Sequence, residues 1–250
     1  MNLIRPFFIA LQFLTIIPVT LKHAPSARDQ AWSIVYYPLV GLVLGLVLIA
    51  GAWLTSGMSP MLSAALVLTL WVALTGGLHL DGLADSADAW VGGLGNRDKT
   101  LSIMKDPRSG PMAVTALALL LLLKFSALES LLASHQWLLL PVAPMLSRMI
   151  PSVLFLTTPY ARADGLGHDA ALHLPRLPCY LMLTMVGLVI AGALGELGLV
   201  VIIGSGLLLV LLRHLMMRRI GGLTGDTLGA AIELVEVLCL VTLAGSGTLP

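Results

Sequence analysis

Charge is scarce in this chain. Asp, Glu, Lys and Arg make up 11% of its 250 residues and hydrophobic residues 58%, where a soluble domain carries about 25% charged residues. With a mean hydropathy of +0.96, a water-soluble fold is excluded and residence in a bilayer is implied. Cysteine is nearly absent. Cys179 and Cys239 lie far apart on apolar segments, with no CxxC and no disulfide framework, so both are read as packing residues. A net charge of +1 leaves no bulk field to attract nucleic acid. Also missing are a GxSxG elbow, a Walker A loop, an HExxH pair and a Rossmann fingerprint, so the chemistries those motifs carry have no support. No Ser/Gly linker or charged tail divides the chain, and a single integral membrane domain over 1–250 is expected.

Apolar runs are abundant. Seven lie near 34–54, 61–80, 112–132, 138–157, 179–195, 198–213 and 228–246, long enough to cross a hydrocarbon core as helices. The expected fold is all-α, a polytopic membrane helix bundle of about seven transmembrane helices. Residues 7–19 (FFIALQFLTIIPV) are too short to span comfortably. They resemble a signal-peptide core behind Arg5, yet no small-residue cleavage site follows. An N-terminal interfacial or re-entrant helix stopped at Pro18 is expected; a spanning helix there would reverse the N-terminus. On seven spans, Arg5, Lys22, Arg28, Arg97, Lys99, Lys105, Arg108, Arg162, Arg176, Arg213, Arg218 and Arg219 fall on one side. Loops near 55–60, 133–137, 196–197 and 247–250 on the other side hold no Lys or Arg. That asymmetry marks the basic side as cytoplasmic, and the cell (inner) membrane is the expected location. Lys124 and Arg148 stay inside the spans. The polar stretches 20–33, 81–110, 158–178 and 213–227 all belong to the basic side.

Residues 76–90, GGLHLDGLADSADAW, carry Asp81, Asp85 and Asp88 directly after an apolar run. On a helix these three fall within an arc of roughly 60°. Carboxylates so crowded repel one another unless a cation or a proton sits among them. Hard divalent cations such as Mg2+ take carboxylate oxygens and fill their remaining positions with water or phosphate. The bland reading is a helix cap at Asp81 and two solvated acids. His79 is either a member of the site or a hydrogen-bonded interfacial side chain. A second stretch, Arg97–Gly110 (RDKTLSIMKDPRSG), ends in a turn. There Lys105 and Arg108 suit phosphate oxygens, with Asp106 and Gly110 in the same candidate turn and a headgroup anchor as the bland reading; Arg97 and Lys99 read as headgroup anchors. A third, residues 221–236 (GGLTGDTLGAAIELVE), offers Gly221, Gly222 and Gly225 for close backbone approach to an anion. It also offers Asp226 as a further ligand or ribose contact. Glu233 lies two turns into an apolar helix, where it is either catalytic or paired with Lys124, Arg148 or a metal; Glu236 reads as structural. A weaker loop, 157–174, holds Arg162, Asp164, Gly165 and Gly167. The first and third stretches echo each other: Gly-Gly-Leu, then an acid, then another acid seven residues on, so that Asp81 and Asp88 correspond to Asp226 and Glu233.

These motifs, with ALQFLTIIPV and YYPLVGLVLG near the N-terminus, resemble the cobalamin synthase family, the adenosylcobinamide-GDP ribazoletransferases, over nearly the whole chain. The resemblance implies a Mg2+-dependent transfer in vitamin B12 biosynthesis. Adenosylcobinamide-GDP and α-ribazole, or its 5′-phosphate, would give adenosylcobalamin, or its 5′-phosphate, and GMP. It carries over onto His79, Asp81, Gly82, Asp85, Asp88, Lys105, Asp106, Arg108, Gly110, Gly225, Asp226 and Glu233. On this reading Asp81, Asp85 and Asp226, with Asp88 as ligand or base, hold the metal. Asp88 or Glu233 accepts the hydroxyl proton, and His79, Lys105 and Arg108 assist. Gly82, Asp106, Gly110, Gly221, Gly222 and Gly225 meet the phosphates or nucleotide. Membrane lipid surrounds the chain, and a homo-oligomer or a complex with other enzymes of the pathway stays open. A CDP-alcohol phosphotransferase is the alternative, although its DxxDGxxAR motif is not met: Leu78 stands where its first Asp would be. A cation transporter is the non-enzymatic one, disfavoured because the acids gather on one side.

Overall fold

The computed structural model describes residues 4–21, 23–162 and 166–246; Lys22, Asp164, Gly165 and residues 247–250 lie outside them. Among the described residues the secondary structure is helical, with one isolated β-bridge, Tyr160 to Leu223. The first helix, α1 (Ile4–Leu14), has 11 residues, too few to cross a bilayer. It ends earlier than Pro18. The Thr15 hydroxyl donates back to the Leu11 carbonyl (2.7 Å) and accepts from the Ile17 N–H (3.2 Å), which closes the last turn from the side chain.

A short helix, α2 (Ala27–Ser33), opens on a Ser26–Asp29 capping box and runs through a 3-10 turn into α3 (Tyr37–Leu54). Together they form a continuous 28-residue span. The return helix α4 (Pro60–Thr75) starts on a Ser59 cap with Pro60 in its first turn. The run 61–80 is not one straight span. Gly76 and Gly77 have φ of 61° and 71°, a left-handed backbone that glycine adopts without a Cβ clash. The chain turns by 87° there, and α5 (Leu78–Gly92) leaves as a separate helix. It is followed by α6 (Arg97–Ile103) and the long α7 (Pro111–Ala133).

The run 138–157 is also segmented, into a 3-10 turn at Trp137–Leu139, α8 (Val142–Ser147) and α9 (Ile150–Thr157). Pro141, Pro144 and Pro151 remove the donors a continuous helix needs. Next come α10 (Leu166–Leu172), inside a stretch read as loop, and α11 (Arg176–Leu194). The span expected at 198–213 is longer: α12 (Glu196–Ile220) absorbs the first part of the polar stretch 213–227. Arg218 and Arg219 thereby sit in its last turn, where cations oppose the helix dipole favourably. The last helix is α13 (Gly225–Ser246). Among the described residues, six helical segments are long and apolar enough to cross a membrane, and seven with the bent α4–α5 pair. We read α4 as that seventh crossing and α5 as running across the bundle's end.

Helix α13 is the axis of the molecule, packed against α5, α7, α8 and α12, while α11 and α12 are the least enclosed. The core along it is continuous, from Leu228 through Leu243. Inside this apolar interior stands a charged cluster. Lys124 of α7 holds Glu233 at 2.6 Å and also pairs with Glu236; Arg148 pairs with Glu236, which in addition accepts from the Ser147 hydroxyl. Two cations offset two carboxylates, which is how buried charges are tolerated at membrane depth. The two cysteines are buried free thiols, in keeping with a packing role.

Candidate active site

The four polar stretches meet at one end of the bundle. Helix α5 crosses the start of α13 at glycine. A Cβ on Gly82 would lie 2.8 Å from the Asp226 carbonyl oxygen, and one on Gly229 3.2 Å from the His79 carbonyl. This close approach sets the α5 aspartates beside Asp226. Asp81 is exposed, while Asp85 and Asp88 are half-buried. Partial burial first, then repulsion from Asp81, Asp226 and Asp88, pushes the Asp85 carboxyl up to about 6. Such a shift arises where carboxylates crowd together in partial burial, as they do at many functional sites.

Asp88 has a different task. Its two carboxylate oxygens accept the backbone N–H of Gly110 (2.5 Å) and of Ala113 (3.0 Å). It therefore caps α7 from another helix, an arrangement the α7 dipole favours. The Cβ that any other residue would place at position 110 stands 2.7 Å from an Asp88 oxygen, so glycine is needed there for this contact. The Lys105–Gly110 turn is anchored to α5 in this way. Lys105 and Arg108 are exposed. Arg108 forms a forked pair with Asp106, Nε to Oδ1 at 2.9 Å and Nη2 to Oδ2 at 2.7 Å. This holds the Asp106 carboxyl down at about 2. Asp106 therefore orients Arg108.

The third stretch begins as the first does. Gly221 ends α12 in a left-handed conformation (φ 73°), as Gly76 ends α4. Gly222 and Leu223 then lie against residues 159–161: Leu223 donates to the Pro159 carbonyl (2.9 Å) and accepts from the Ala161 N–H (2.8 Å). Arg97 bonds to the Ile220 carbonyl (3.0 Å) and the Ala161 carbonyl (3.1 Å). It is a clamp between segments, where the sequence had suggested a headgroup anchor. Arg219 does similar work, donating to Thr100 Oγ1 (2.9 Å) and to the Trp90 carbonyl. Asp226, in the first turn of α13, accepts from Arg162 (3.0 Å) and from Thr224 (3.4 Å).

The structure thus brings Asp81, Gly82, Asp85, Asp88, Gly110, Gly225 and Asp226 into one neighbourhood. It does not bring Glu233 there: that carboxylate belongs to the buried cluster with Lys124. His79, in the first turn of α5, is buried, with no hydrogen-bond partner for Nδ1. Arg162 is the polar residue most undervalued by the sequence, where it stood in a weak loop with nothing to tie it to Asp226, 64 positions away. As to a metal, no three His, Cys, Asp or Glu among the described residues converge closely enough to hold one ion. The chemistry of the donors nonetheless fits Mg2+, which accepts one or two carboxylates and fills its octahedron with water and substrate phosphate.

A family profile described as Cobalamin-5-phosphate synthase matches residues 6–244. The chain belongs to the cobalamin-5-phosphate synthase family. Among curated members, a protein of Stutzerimonas stutzeri is 53% identical over 241 residues, 96% of this chain and 97% of its own length. One from Acinetobacter baumannii is 49% identical over 237 residues, 95% and 96% of the two chains. One from Pseudomonas aeruginosa is 53% identical over 243 residues, 96% and 98%. All three are named adenosylcobinamide-GDP ribazoletransferase. No solved structure matches this cobalamin-5-phosphate synthase family member. Membership removes support from the CDP-alcohol phosphotransferase and transporter alternatives.

Proposed function

We infer that the chain transfers the cobinamide phosphate of adenosylcobinamide-GDP to α-ribazole or its 5′-phosphate, releasing GMP. A ribose hydroxyl oxygen forms a bond to the phosphorus that carries cobinamide. The bond from that phosphorus to the bridging oxygen breaks, and GMP leaves with that oxygen. The observation that carries this reading is the junction of α5 with α13, which sets Asp81 and Asp85 beside Asp226 in a chain of this family.

Phosphoryl transfer asks mainly for positioning and charge stabilisation. One or two of Asp81, Asp85 and Asp226 would hold Mg2+, which would screen the diphosphate and polarise the reacting phosphorus. Arg162, already on Asp226, and Lys105 and Arg108 on the adjacent turn supply cations for the departing phosphate. The hydroxyl proton passes to a carboxylate of the α5 cluster. Glu233 is already held by Lys124, and both Asp88 oxygens are taken by backbone N–H groups. We place the site on the cytoplasmic face of the inner membrane, because the basic residues gather at that end.

The test is an assay of the protein in lipid nanodiscs with GDP-cobinamide and α-ribazole. Cobalamin product and GMP are expected with Mg2+ and neither with EDTA. Absence of product under both conditions overturns the function, and undiminished product in EDTA overturns the metal.

A further inference from the structure

A cavity of about 550 Å³ opens beside the α5–α13 junction. Two stacked aromatic pairs line it. Phe13 of α1 and Tyr37 of α3 stack with centroids 6.1 Å apart at 21°, and Phe155 of α9 and Tyr160 stack at 6.4 Å and 16°. Asp81 and Asp226 line its charged end, and Ile232, nearly two turns further along α13, lines its apolar part. No Lys or Arg is among its described lining residues. The polar side chains are few and partly committed: the Gln12 amide donates to the Val19 carbonyl and the Ser33 hydroxyl to the Gln30 carbonyl. The buried His79 imidazole also lines the cavity.

We propose that this cavity seats the base of ribazole and presents the attached ribose to the aspartates. The proposal rests on the function inferred above. A flat apolar bicycle gains from aromatic faces on either side, and pockets of this kind pair an apolar wall with a few placed polar groups. Dimethylbenzimidazole joined to a sugar keeps one ring nitrogen, an acceptor, and two methyl groups. One N–H from His79 satisfies that nitrogen, and the methyls need only apolar wall. A guanine edge would bury several donors and acceptors with too few partners. A diphosphate would need cations that the cavity lacks, and a corrin is too large for it. His79 becomes a residue that binds the base and does not move a proton.

Ile232→Trp fills the apolar part, and Gln12→Trp narrows the cavity from an exposed position of α1 that carries little folding risk. Both are compared with wild type in nanodiscs by KM for each substrate and by equilibrium dialysis of free α-ribazole. We expect the KM for ribazole and its dissociation constant to rise about tenfold or more, the scale on which a filled apolar pocket discriminates, with the KM for GDP-cobinamide unchanged. Adenine riboside should be a far poorer acceptor than α-ribazole. A rise in the KM for GDP-cobinamide alone would assign the cavity to the nucleotide and overturn the proposal. Wild-type values for both substrates in both variants would leave the cavity to lipid and overturn it too. If Ile232→Trp fails to fold, Gln12→Trp carries the test. A wild-type protein that makes no cobalamin refutes the enzymatic function instead, while dialysis still reads the cavity.

Discussion

Four carboxylates share one end of the bundle, and Asp85 carries the clearest mark of their repulsion. Raised first by burial and then by the neighbouring acids, its folded carboxyl releases a proton at about 6, against 3.8 for an ordinary aspartate. Between those values the native state binds the extra proton, so the stability contributed by the protonated form is full below 3.8 and is lost as pH rises to about 6. Thermal melts of metal-free protein should therefore fall with pH across that window, and Asp85→Asn should lack that part of the slope. At neutral pH in EDTA the variant should melt higher than wild type, gain less from added Mg2+, and show no turnover. An unchanged melting point in EDTA would remove repulsion as the cause. The acids themselves were legible in the sequence, because carboxylates at helical spacing after an apolar run are costly unless used. Their separate tasks were not. Asp88 became the cap of α7 through contacts with Gly110 and Ala113, 22 and 25 positions away, and no local pattern announces such a pairing.

At the scale of elements, the repeated Gly-Gly-Leu is a structural device. In both copies the first glycine ends the incoming helix in a left-handed turn, and the acid-bearing helix starts within a few residues. The two acid-bearing helices then pack on each other at Gly82 and Gly229. Gly82→Ala would press a methyl against Asp226 backbone, which cannot rotate away. We expect a loss of turnover of about 100-fold, the cost of a displacement near 1 Å, with membrane insertion intact by fractionation. The buried cluster sets the register of α7, α8 and α13 by charge. Lys124→Met should destabilise by about 3–5 kcal/mol, since it uncovers buried carboxylates, and Lys124→Met with Glu233→Gln should cost less. Denaturant unfolding in detergent measures both. The sequence showed that Glu233 needed a partner inside the membrane but left Lys124, Arg148 and a metal all open; distance chose Lys124.

For the whole molecule, polarity is segregated along the membrane normal. Arg97, Arg162 and Arg219 tie together the segments around the α5–α13 junction, while the opposite turns carry no Lys or Arg in the sequence. Ser109→Cys should be labelled by an impermeant maleimide only in inside-out vesicles, and Gly57→Cys only in right-side-out ones. The native Cys179 and Cys239 are buried and should stay silent. Labelling of both new cysteines from one side would reverse or break the seven-crossing topology.

The sequence by itself determined that the chain is a membrane helix bundle, that its basic residues fall on one side of the spans, and where its acids cluster. Those properties follow from hydropathy, loop charge and helical spacing, all local along the chain. The tertiary structure alone decided that Arg162 meets Asp226, that Glu233 pairs with Lys124, and that four aromatic rings from distant segments wall one cavity. Each depends on contacts between residues far apart in the chain, and such contacts exist only once the helices have packed.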